Sequence, residues 1–261
     1  ITTDLKLTHE ENELFSTLLK VVQDRKLNTT IRVAGGWVRD RLLGGPVKND
    51  VDIALEGMTG VEFTKHWNKW LIADKKQKLS FAVIQQNPDR SKHLETVTIK
   101  FGQLHIDLVN LRTEEYSITS RIPVIETGTP YQDAHRRDLT INSLFYNIHT
   151  KNIEDYTQKG LNDLKYGIVR TPLPALITLK DDPLRAYRII RFACRFQYDI
   201  IEEVVQACRN IEVHHNIVEK VSRERIKDEF ILMFSAPSAV RAIYLLYSYH
   251  LLLTLIDFTT N

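Results

Sequence analysis

The chain has 261 residues, of which 43% are hydrophobic, and its formal net charge at pH 7 is only +2. This size is enough for a sizeable core in one or two domains. The charge excludes a polycation, so any anionic partner must be bound by a local basic patch. No apolar run approaches eighteen residues, which excludes a membrane-spanning helix.

The two cysteines and the two chain ends give expectations about the cellular compartment and about further chain. Cys194 and Cys208 lack metal-ligand spacing and lie in apolar helical patterns, so we expect reduced core cysteines and an intracellular protein. The chain starts at Ile1 rather than Met, which leaves room for a removed N-terminal address. An apolar helix close to Asn261 predicts that further chain follows it.

Hydrophobic periodicity predicts an α/β first part. Its strand and helix patterns alternate, and "VTIKFGQLHIDLV" indicates a hairpin around Gly102 and Gln103. The segment 114–135 has weak periodicity and many turn formers, so we expect a long surface loop there. The predicted helices are 9–25, 37–44 and 61–73, and the predicted strands are 29–36, 51–55, 80–86, 95–102 and 105–112.

The pattern changes at about residue 173, beside the stretch "RTPLPALITL". From there to the end the β-branched alternation fades and helical periods take over. We therefore predict an α/β domain followed by an all-helical domain, with the boundary at residue 172.

Two aspartates in the predicted strand 51–55 region suggest chemistry. Asp50 and Asp52 flank Val51, so both carboxylates share one strand face, and Asp107 lies between apolar residues on a later strand. Repelling carboxylates on one face suit Mg²⁺, which takes few protein oxygens and leaves places for phosphates. The alternative is a pair of ordinary aspartates on a solvated strand, and a lone D-x-D does not exclude it.

A glycine pair precedes these acids. Gly35 and Gly36 lie between a strand and a helix, where backbone N–H groups can approach a phosphate closely. Most such pairs are only turns. Arg39 follows on the helix beside Asp40, and it could hold phosphate oxygens or pair with a nearby acid.

The stretch "GGWVRDRLLG…NDVDIAL", followed by the "HIDLV" strand, resembles the signature of the polymerase-β-like nucleotidyltransferase superfamily. Within it, the chain is similar to class II tRNA nucleotidyltransferases, the CCA-adding enzymes, and to bacterial-type poly(A) polymerases. The resemblance implies that Asp50 and Asp52 carry metal ions and that Asp107 is a third catalytic carboxylate. It also implies that Gly35, Gly36 and Arg39 hold the triphosphate.

Two further stretches extend the resemblance. In "HRRDLTINSLFYN" it implies nucleotide binding by Arg136, Arg137, Asp138 and Asn142, and arginine suits phosphate because its planar fork binds bidentately. The alternative is a charged loop beside a helix start. The block "EDYTQKGLNDL" resembles a hinge-like element of the same family, although its spacing alone indicates a turn and a helix start.

The stretch "DDPLRAYRIIRFACRF" opens the helical part. Asp182 before Pro183 is a good N-cap, which is an alternative to a functional role. The family's E-D-x-x-R motif is matched by Asp182 and Arg185, with Asp181 in place of Glu, and implies that they read the base edge. An arginine row on one helix face suits phosphates: Arg185, Arg188, Arg191 and Arg195. In "VSRERIKDEF", Ser222 is an expected N-cap, and Arg223, Glu224 and Arg225 are expected to brace the neck.

The five motifs occur in the family's order over residues 30–230. They imply an α+β protein: a polymerase-β-like head at 1–172, with a small mixed sheet and helices, and an all-helical neck at 173–261. The implied reaction adds CCA to the 3′ end of tRNA from CTP and ATP, with Mg²⁺ as cofactor. Family members carry further body and tail regions, so we expect a head-and-neck part acting in the cytoplasm, nucleus or mitochondrion.

Two other readings are compatible with the same residues. A poly(A) polymerase, or an enzyme that adds only CC or only A, could use the same head. A non-catalytic RNA-binding protein on an inherited head is the more distant alternative, and the three intact acids argue against it.

Overall fold

The computed structural model describes residues 5–45, 49–75, 80–84, 96–115, 124–235 and 238–256. The chain forms two compact units. The first consists of Ile1–Ala134 with Leu144–Tyr156, and the second of His135–Ser143 with Thr157–Asn261. Within the described ranges, every helix is too short or too polar to span a bilayer.

The compact units divide the chain differently from the predicted domains. Residues 135–143 and 157–172 were assigned to the first domain, and their contacts place them in the second unit. The assignment of 1–172 and 173–261 to two functional domains stays a prediction.

The first unit is built around a seven-stranded mixed sheet. The strand order is β3-β4-β5-β2-β1-β8-β9, and every neighbouring pair is antiparallel except β2 and β5. The strands are β1 Thr30–Ala34, β2 Asp50–Glu56, β3 Phe81–Ile84, β4 Thr96–Phe101, β5 Leu104–Asn110, β6 Arg112–Glu115, β7 Val124–Thr127, β8 Phe145–Asn147 and β9 Asn152–Glu154. The helices are α1 His9–Asp24, α2 Gly36–Leu42, α3 Gly60–Lys75 and α4 Pro130–His135.

Alternating side chains give the central strands one buried face. Val51 and Ile53 of β2, and Ile106 and Leu108 of β5, are almost completely buried. The predicted hairpin is present, because β4 and β5 pair from Phe101 to Leu104 around a turn that begins with Gly102 at φ +58°. Glycine adopts this left-handed conformation without steric cost because it has no Cβ.

The prediction of a long loop at 114–135 is wrong in the described part. β6 pairs antiparallel with β7, and α4 follows. The sequence pattern did not predict this strand pair, because "RTEE" and "VIET" do not alternate polar and apolar residues. Backbone hydrogen bonds between β6 and β7 form the pair instead. Residues 116–123 of the predicted loop lie outside the described residues.

The second unit is mainly helical, as predicted. Among its described residues, β10 pairs with β11 in parallel. The predicted α+β architecture, a mixed sheet with helices followed by a helical region, is therefore confirmed. The elements are the 3₁₀ helix Thr140–Asn142, α5 Gly160–Tyr166, β10 Ile168–Val169, α6 Ala175–Asp181, α7 Arg185–Phe196, β11 Asp199–Ile200, α8 Glu202–Cys208, α9 Ile211–Lys220, α10 Arg223–Phe234, α11 Ala239–Ser248 and α12 Leu253–Ile256. Cys194 and Cys208 are free and buried, as expected.

Candidate active site

The carboxylates of β2 share an exposed face of the sheet. Asp50 and Asp52 are exposed, whereas the intervening Val51 and the following Ile53 are buried. Hydrophobic burial of every second residue sets the orientation of the strand, because successive side chains point to opposite faces. The prediction that the two acids lie on one face follows directly from this alternation.

The parallel strand β5 adds two polar residues to the same face. Asp107 is the register partner of Asp52, and His105 is the register partner of Asp50. Neighbouring strands lie about 4.8 Å apart, so these side chains start close together. The structure thus brings Asp107 beside the β2 acids, as the sequence predicted. His105 was not predicted, although the alternation in "HIDLV" places it on the face of Asp107.

Asp107 is oriented by the strand on its other side. Thr98 of β4 is its register partner, and the Thr98 hydroxyl donates a hydrogen bond to Asp107 Oδ1 over 2.7 Å. Asp107 is half-buried. One carboxylate oxygen is therefore fixed by a neutral donor, and the charge of the carboxylate remains available.

The carboxylates of β2 can be compared with the ligands that Mg²⁺ requires. In the described parts of the chain, no three or more His, Cys, Asp or Glu residues form a group able to hold a metal ion. Mg²⁺ does not require such a cage, because it typically uses one or two carboxylates and fills its other positions with water and substrate phosphates. Exposed Asp50 and Asp52, facing the same way, fit this requirement.

The glycine pair forms the turn between β1 and α2. Gly35 adopts φ +69° and ψ −122°, a conformation open only to glycine at low cost, and its N–H donates to the Leu144 carbonyl over 2.9 Å. Gly36 begins α2. The predicted strand–turn–helix arrangement is present, and the strained turn explains why glycine is needed at residue 35.

Arg39 pairs with an acid in this structure. Its Nε and Nη2 lie 2.8 and 2.7 Å from Asp40 Oδ1, and both side chains are buried. The guanidinium lies over Gly36, where an added Cβ would come within 3.4 Å of Arg39 Nη2. Of the two alternatives left open by the sequence, the structure shows the acid pair.

In the second unit, Asp138 is the centre of a buried hydrogen-bond network. Oδ1 accepts from Asn142 Nδ2 over 3.0 Å and from the Leu139 N–H over 2.8 Å. Oδ2 accepts from Arg188 Nε and Nη2, over 2.8 and 2.7 Å. Burial alone would raise the pKa of Asp138, but the Arg188 charge and the Asn142 hydrogen bond hold this pKa well below its ordinary value. Asp138 is therefore ionised and structurally constrained.

The predicted arginine pair contributes backbone and side-chain contacts. Arg137 Nη1 donates to the Asn142 carbonyl over 3.2 Å. The Arg136 carbonyl accepts from Arg185 Nη2 over 2.6 Å, and Arg185 Nη1 donates to the Thr178 carbonyl over 3.3 Å. The segment around the 3₁₀ helix and the start of α7 are thus joined by the residues that the sequence singled out.

The arginine row of α7 is explained by packing to a larger extent than the sequence suggested. Glu229 of α10 accepts from Arg191 Nε over 2.6 Å and from Arg188 Nη1 over 3.4 Å. The Arg191 guanidinium also lies 4.2 Å from the ring centroid of Phe192. Arg195 is exposed, with its guanidinium 4.8 Å from the ring centroid of Phe196. Acids and aromatic rings of the same unit therefore account for much of this row, and phosphate binding by these arginines stays a prediction.

Asp182 lies in the turn between α6 and α7. Its Oδ1 accepts from the Leu184 N–H over 3.3 Å, and its Oδ2 accepts from Arg225 Nη2 over 2.9 Å. α7 begins at Arg185, so the predicted helix start at Pro183 was two residues early. The N-cap of α7 is Leu184, without a side-chain capping bond, so the predicted N-cap role of Asp182 is wrong. The expected bracing arginine is present, because Arg225 binds the Asp182 carboxylate.

The hinge-like block is held by Asp163, which is buried on α5. Its Oδ2 accepts from the Thr140 hydroxyl over 2.7 Å, and its Oδ1 accepts from Arg170 Nε over 3.2 Å. These contacts tie α5 to the 3₁₀ helix and to the segment leading out of β10. Their observed role is structural.

Comparison with known proteins identifies the class. Residues 31–170 match the family "Poly A polymerase head domain", and residues 198–260 match "Probable RNA and SrmB- binding site of polymerase A". The chain therefore belongs to the poly A polymerase head-domain family, as the resemblance implied.

Two fungal proteins illustrate the relationship. The chain is 45% identical over 226 residues to "CCA tRNA nucleotidyltransferase, mitochondrial" of Candida glabrata, covering 85% of this chain and 42% of the relative. It is 42% identical over 250 residues to "tRNA nucleotidyltransferase cca1" of Schizosaccharomyces pombe, covering 94% of this chain and 50% of the relative. The chain spans about half the length of the curated relatives it matches.

Solved structures share the fold. CCA-adding enzymes in complex with ATP, with CTP and, from Thermotoga maritima, with tRNA are each 25% identical to this chain. Their TM-scores are 0.73, 0.70 and 0.72, and the matches cover 93%, 93% and 95% of this chain. The same matches cover 51%, 51% and 53% of the CCA-adding enzyme chains in these structures.

Proposed function

We propose that the protein is a template-independent nucleotidyltransferase that adds CCA to the 3′ end of tRNA from CTP and ATP. The observation that carries the proposal is the register of β2 and β5, which places Asp52 directly beside Asp107 on the sheet face that also bears Asp50. The head-domain family and the names of the fungal relatives support the same activity.

The sheet face has the groups that nucleotidyl transfer requires. Asp50 and Asp52 would hold Mg²⁺, and Asp107 would act on the attacking RNA 3′ hydroxyl as its proton acceptor. When bound, Mg²⁺ supplies Lewis-acid stabilisation of the charge on the phosphoryl oxygens. Thr98 holds one oxygen of Asp107, so the second oxygen keeps a defined direction for the hydroxyl proton. Attack on the α-phosphate then releases pyrophosphate.

The nucleotide contacts divide by chemistry. The backbone of Gly35 and Gly36 and the side chain of Arg39 would bind the triphosphate, with Arg39 exchanging some contact with Asp40 for phosphate oxygens. Asp182 and Arg185 would read the base, because a carboxylate accepts from the exocyclic amine of cytosine or adenine and guanidinium donates to a ring acceptor.

The second unit would supply the other nucleotide contacts. We assign ribose and phosphate binding to Arg136, Arg137 and Asn142, with Asp138 holding Asn142 through the hydrogen bond described above. Arg188 and Arg191 remain candidates for phosphate contact through donors not used by Glu229. The tRNA would be bound mainly through its backbone and shape, as duplex RNA usually is.

An intracellular site of action in the cytoplasm, nucleus or mitochondrion is consistent with the mitochondrial label of the Candida glabrata relative.

One experiment separates the candidate activities. End-trimmed tRNA is incubated with Mg²⁺ and labelled CTP alone, ATP alone or both, using this chain and a longer version of the protein. Sequential addition of two C residues and one A supports the proposal. Addition of A alone in long runs would identify a poly(A) polymerase, and arrest after CC would identify a partial-adding enzyme.

The non-catalytic alternative makes a different prediction. If the head only binds RNA, the longer version incorporates neither nucleotide, while its affinity for tRNA is unchanged in the Asp50→Ala and Asp52→Ala variants. Incorporation by the unsubstituted protein that disappears in both variants excludes this alternative.

A further inference from the structure

Asp182, proposed above to read the base, is held by a side chain from a different helix. We propose that Arg225 is a positioning residue that fixes the Asp182 carboxylate for discrimination between bases, an inference that rests on the proposed function of Asp182. Arg225 Nη2 lies 2.9 Å from Asp182 Oδ2. Both side chains are partly buried, with 33% and 24% exposed, so solvent screens the pair incompletely.

The helix that carries Arg225 is itself anchored. Glu229 lies one helical turn after Arg225 on α10, and it is buried. It binds Arg188 and Arg191 of α7, as described above. α10 therefore presents a cation to Asp182 and an anion to the α7 arginines. Because Glu229 fixes α10 against α7, the backbone of Arg225 has a defined position from which to hold Asp182.

The Asp182 carboxylate has unused hydrogen-bond acceptor positions that a nucleotide base could occupy. An ionised carboxylate has two oxygens with about two acceptor positions each. In Asp182, the Leu184 N–H uses one position on Oδ1 and Arg225 uses one on Oδ2. Each oxygen keeps one position, so Asp182 can accept from an exocyclic amine while both intramolecular contacts persist. Arg225 thus orients the carboxylate without blocking it.

Orientation matters more for discrimination than for affinity. Cytosine offers an amine donor where uracil offers a carbonyl oxygen. A fixed carboxylate accepts from the amine and repels the carbonyl, whereas a carboxylate free to rotate can turn toward water and avoid the repulsion. Loss of Arg225 is therefore expected to reduce the preference for CTP over UTP more than it reduces nucleotide binding in general.

The test uses equilibrium binding, which requires no RNA. Dissociation constants for CTP and UTP are measured with Mg²⁺ for the unsubstituted chain, Arg225→Gln, Arg225→Lys and Lys227→Gln. Lys227 is exposed on the same helix, so Lys227→Gln removes one positive charge away from Asp182. We expect the UTP-to-CTP ratio of dissociation constants to fall about tenfold in Arg225→Gln. It should be intermediate in Arg225→Lys and unchanged in Lys227→Gln.

A double-variant comparison tests whether the effect passes through Asp182. Asp182→Asn should lower the ratio as Arg225→Gln does, and combining the two substitutions should lower it no further. Additive losses would show that Arg225 acts elsewhere and would overturn the proposal.

The other outcomes are also decisive. An unchanged ratio in Arg225→Gln overturns the proposal, and so does equal weakening of CTP and UTP, which indicates a merely structural role. If circular dichroism shows that Arg225→Gln is unfolded, Arg225→Lys decides: an intermediate ratio supports the proposal, and the ratio of the unsubstituted chain overturns it. Failure of the unsubstituted chain to bind or prefer CTP contradicts the proposed function itself, and the inference fails with it.

Discussion

Asp52 and Asp107 are register partners on the one parallel strand pair found in the described part of the large sheet. Their backbones are one strand spacing apart, and their side chains point to the same face. Two like charges in this arrangement destabilise the sheet unless a cation lies between or beside them. We therefore predict that the stability of the first unit depends on divalent cations.

Thermal denaturation with and without Mg²⁺ measures this link. Asp52→Asn should melt at the same or a slightly higher temperature than the unsubstituted protein without Mg²⁺, because one repelling charge is removed. Saturating Mg²⁺ should stabilise the unsubstituted protein by mass action and leave Asp52→Asn almost unaffected. An equal response of both proteins to Mg²⁺ would mean that Asp52 does not bind the ion.

The two glycines of the turn should tolerate alanine differently. Gly35→Ala is expected to cost about 1–3 kcal/mol of unfolding free energy, because residue 35 has φ +69° and an unusual ψ of −122°. Gly36→Ala should cost less, since the new methyl group meets only the end of the flexible Arg39 side chain. Urea unfolding measures both. Equal costs would contradict the assigned role of the backbone conformation at Gly35.

Triphosphate binding provides a second readout for Gly36→Ala. The new methyl group would lie 3.4 Å from Arg39 Nη2, on the turn where a phosphate would approach the backbone, so it should weaken CTP binding although the fold is retained. CTP affinity equal to that of the unsubstituted protein would argue against the backbone at Gly36 as a triphosphate site.

Asp138→Asn should destabilise the second unit by about 1–3 kcal/mol, because it removes the charge of a buried carboxylate that accepts two hydrogen bonds from the partly exposed Arg188 guanidinium. The pH dependence follows from the lowered pKa of Asp138. Its stabilising contribution is fully present above the ordinary carboxyl pKa of 3.8 and is lost as the pH falls below that value toward the lower pKa of the folded protein.

Urea unfolding of the unsubstituted protein and of Asp138→Asn between pH 5 and about pH 3 tests the direction of this pH dependence. The stability difference between the two proteins should shrink as the pH falls. A difference that is constant or grows toward acid would show that the Asp138 carboxylate is not held in its ionised form by Arg188.

Glu11 is completely buried and connects α1 to α2. Its Oε1 accepts from Trp37 Nε1 over 2.9 Å and from Arg41, and its Oε2 accepts from the Thr8 N–H over 2.7 Å. Glu11→Ala should cost about 3 kcal/mol of unfolding free energy, because it leaves the mostly buried Arg41 guanidinium and the Trp37 indole N–H without their acceptor. The exposed neighbour Glu13 is the control, and Glu13→Ala should change the unfolding free energy by less than about 0.5 kcal/mol. Similar losses would contradict the bridging role of Glu11.

Much of the sheet was predictable, because strand alternation is a local signal. The shared face of Asp50 and Asp52 follows from the alternation around Val51, and the turn at Gly102 follows from two flanking strand patterns. The position of Asp107 was expected from its strand pattern and the family resemblance. His105 was missed although the alternation in "HIDLV" places it on the face of Asp107. Thr98 needed the strand register, which depends on pairing between different strands and has no local sequence signal.

The electrostatic partners in the second unit were less predictable. Arg188 and Asp138 are 50 residues apart in sequence, and Arg225 and Asp182 are 43 residues apart. The sequence showed arginines on one helix face but not the acids that tertiary packing would bring to them. For this reason, a row that suggested free phosphate-binding charges is in fact largely compensated within the protein.

We propose that the acids of β2 and β5 support Mg²⁺-dependent nucleotidyl transfer. The test measures labelled CMP incorporation into end-trimmed tRNA, comparing Asp52→Asn with the unsubstituted protein at equal nucleotide and tRNA saturation. We predict Mg²⁺-dependent incorporation that falls at least about a hundredfold in Asp52→Asn, with the fold retained. Incorporation by Asp52→Asn at the rate of the unsubstituted protein would contradict the account.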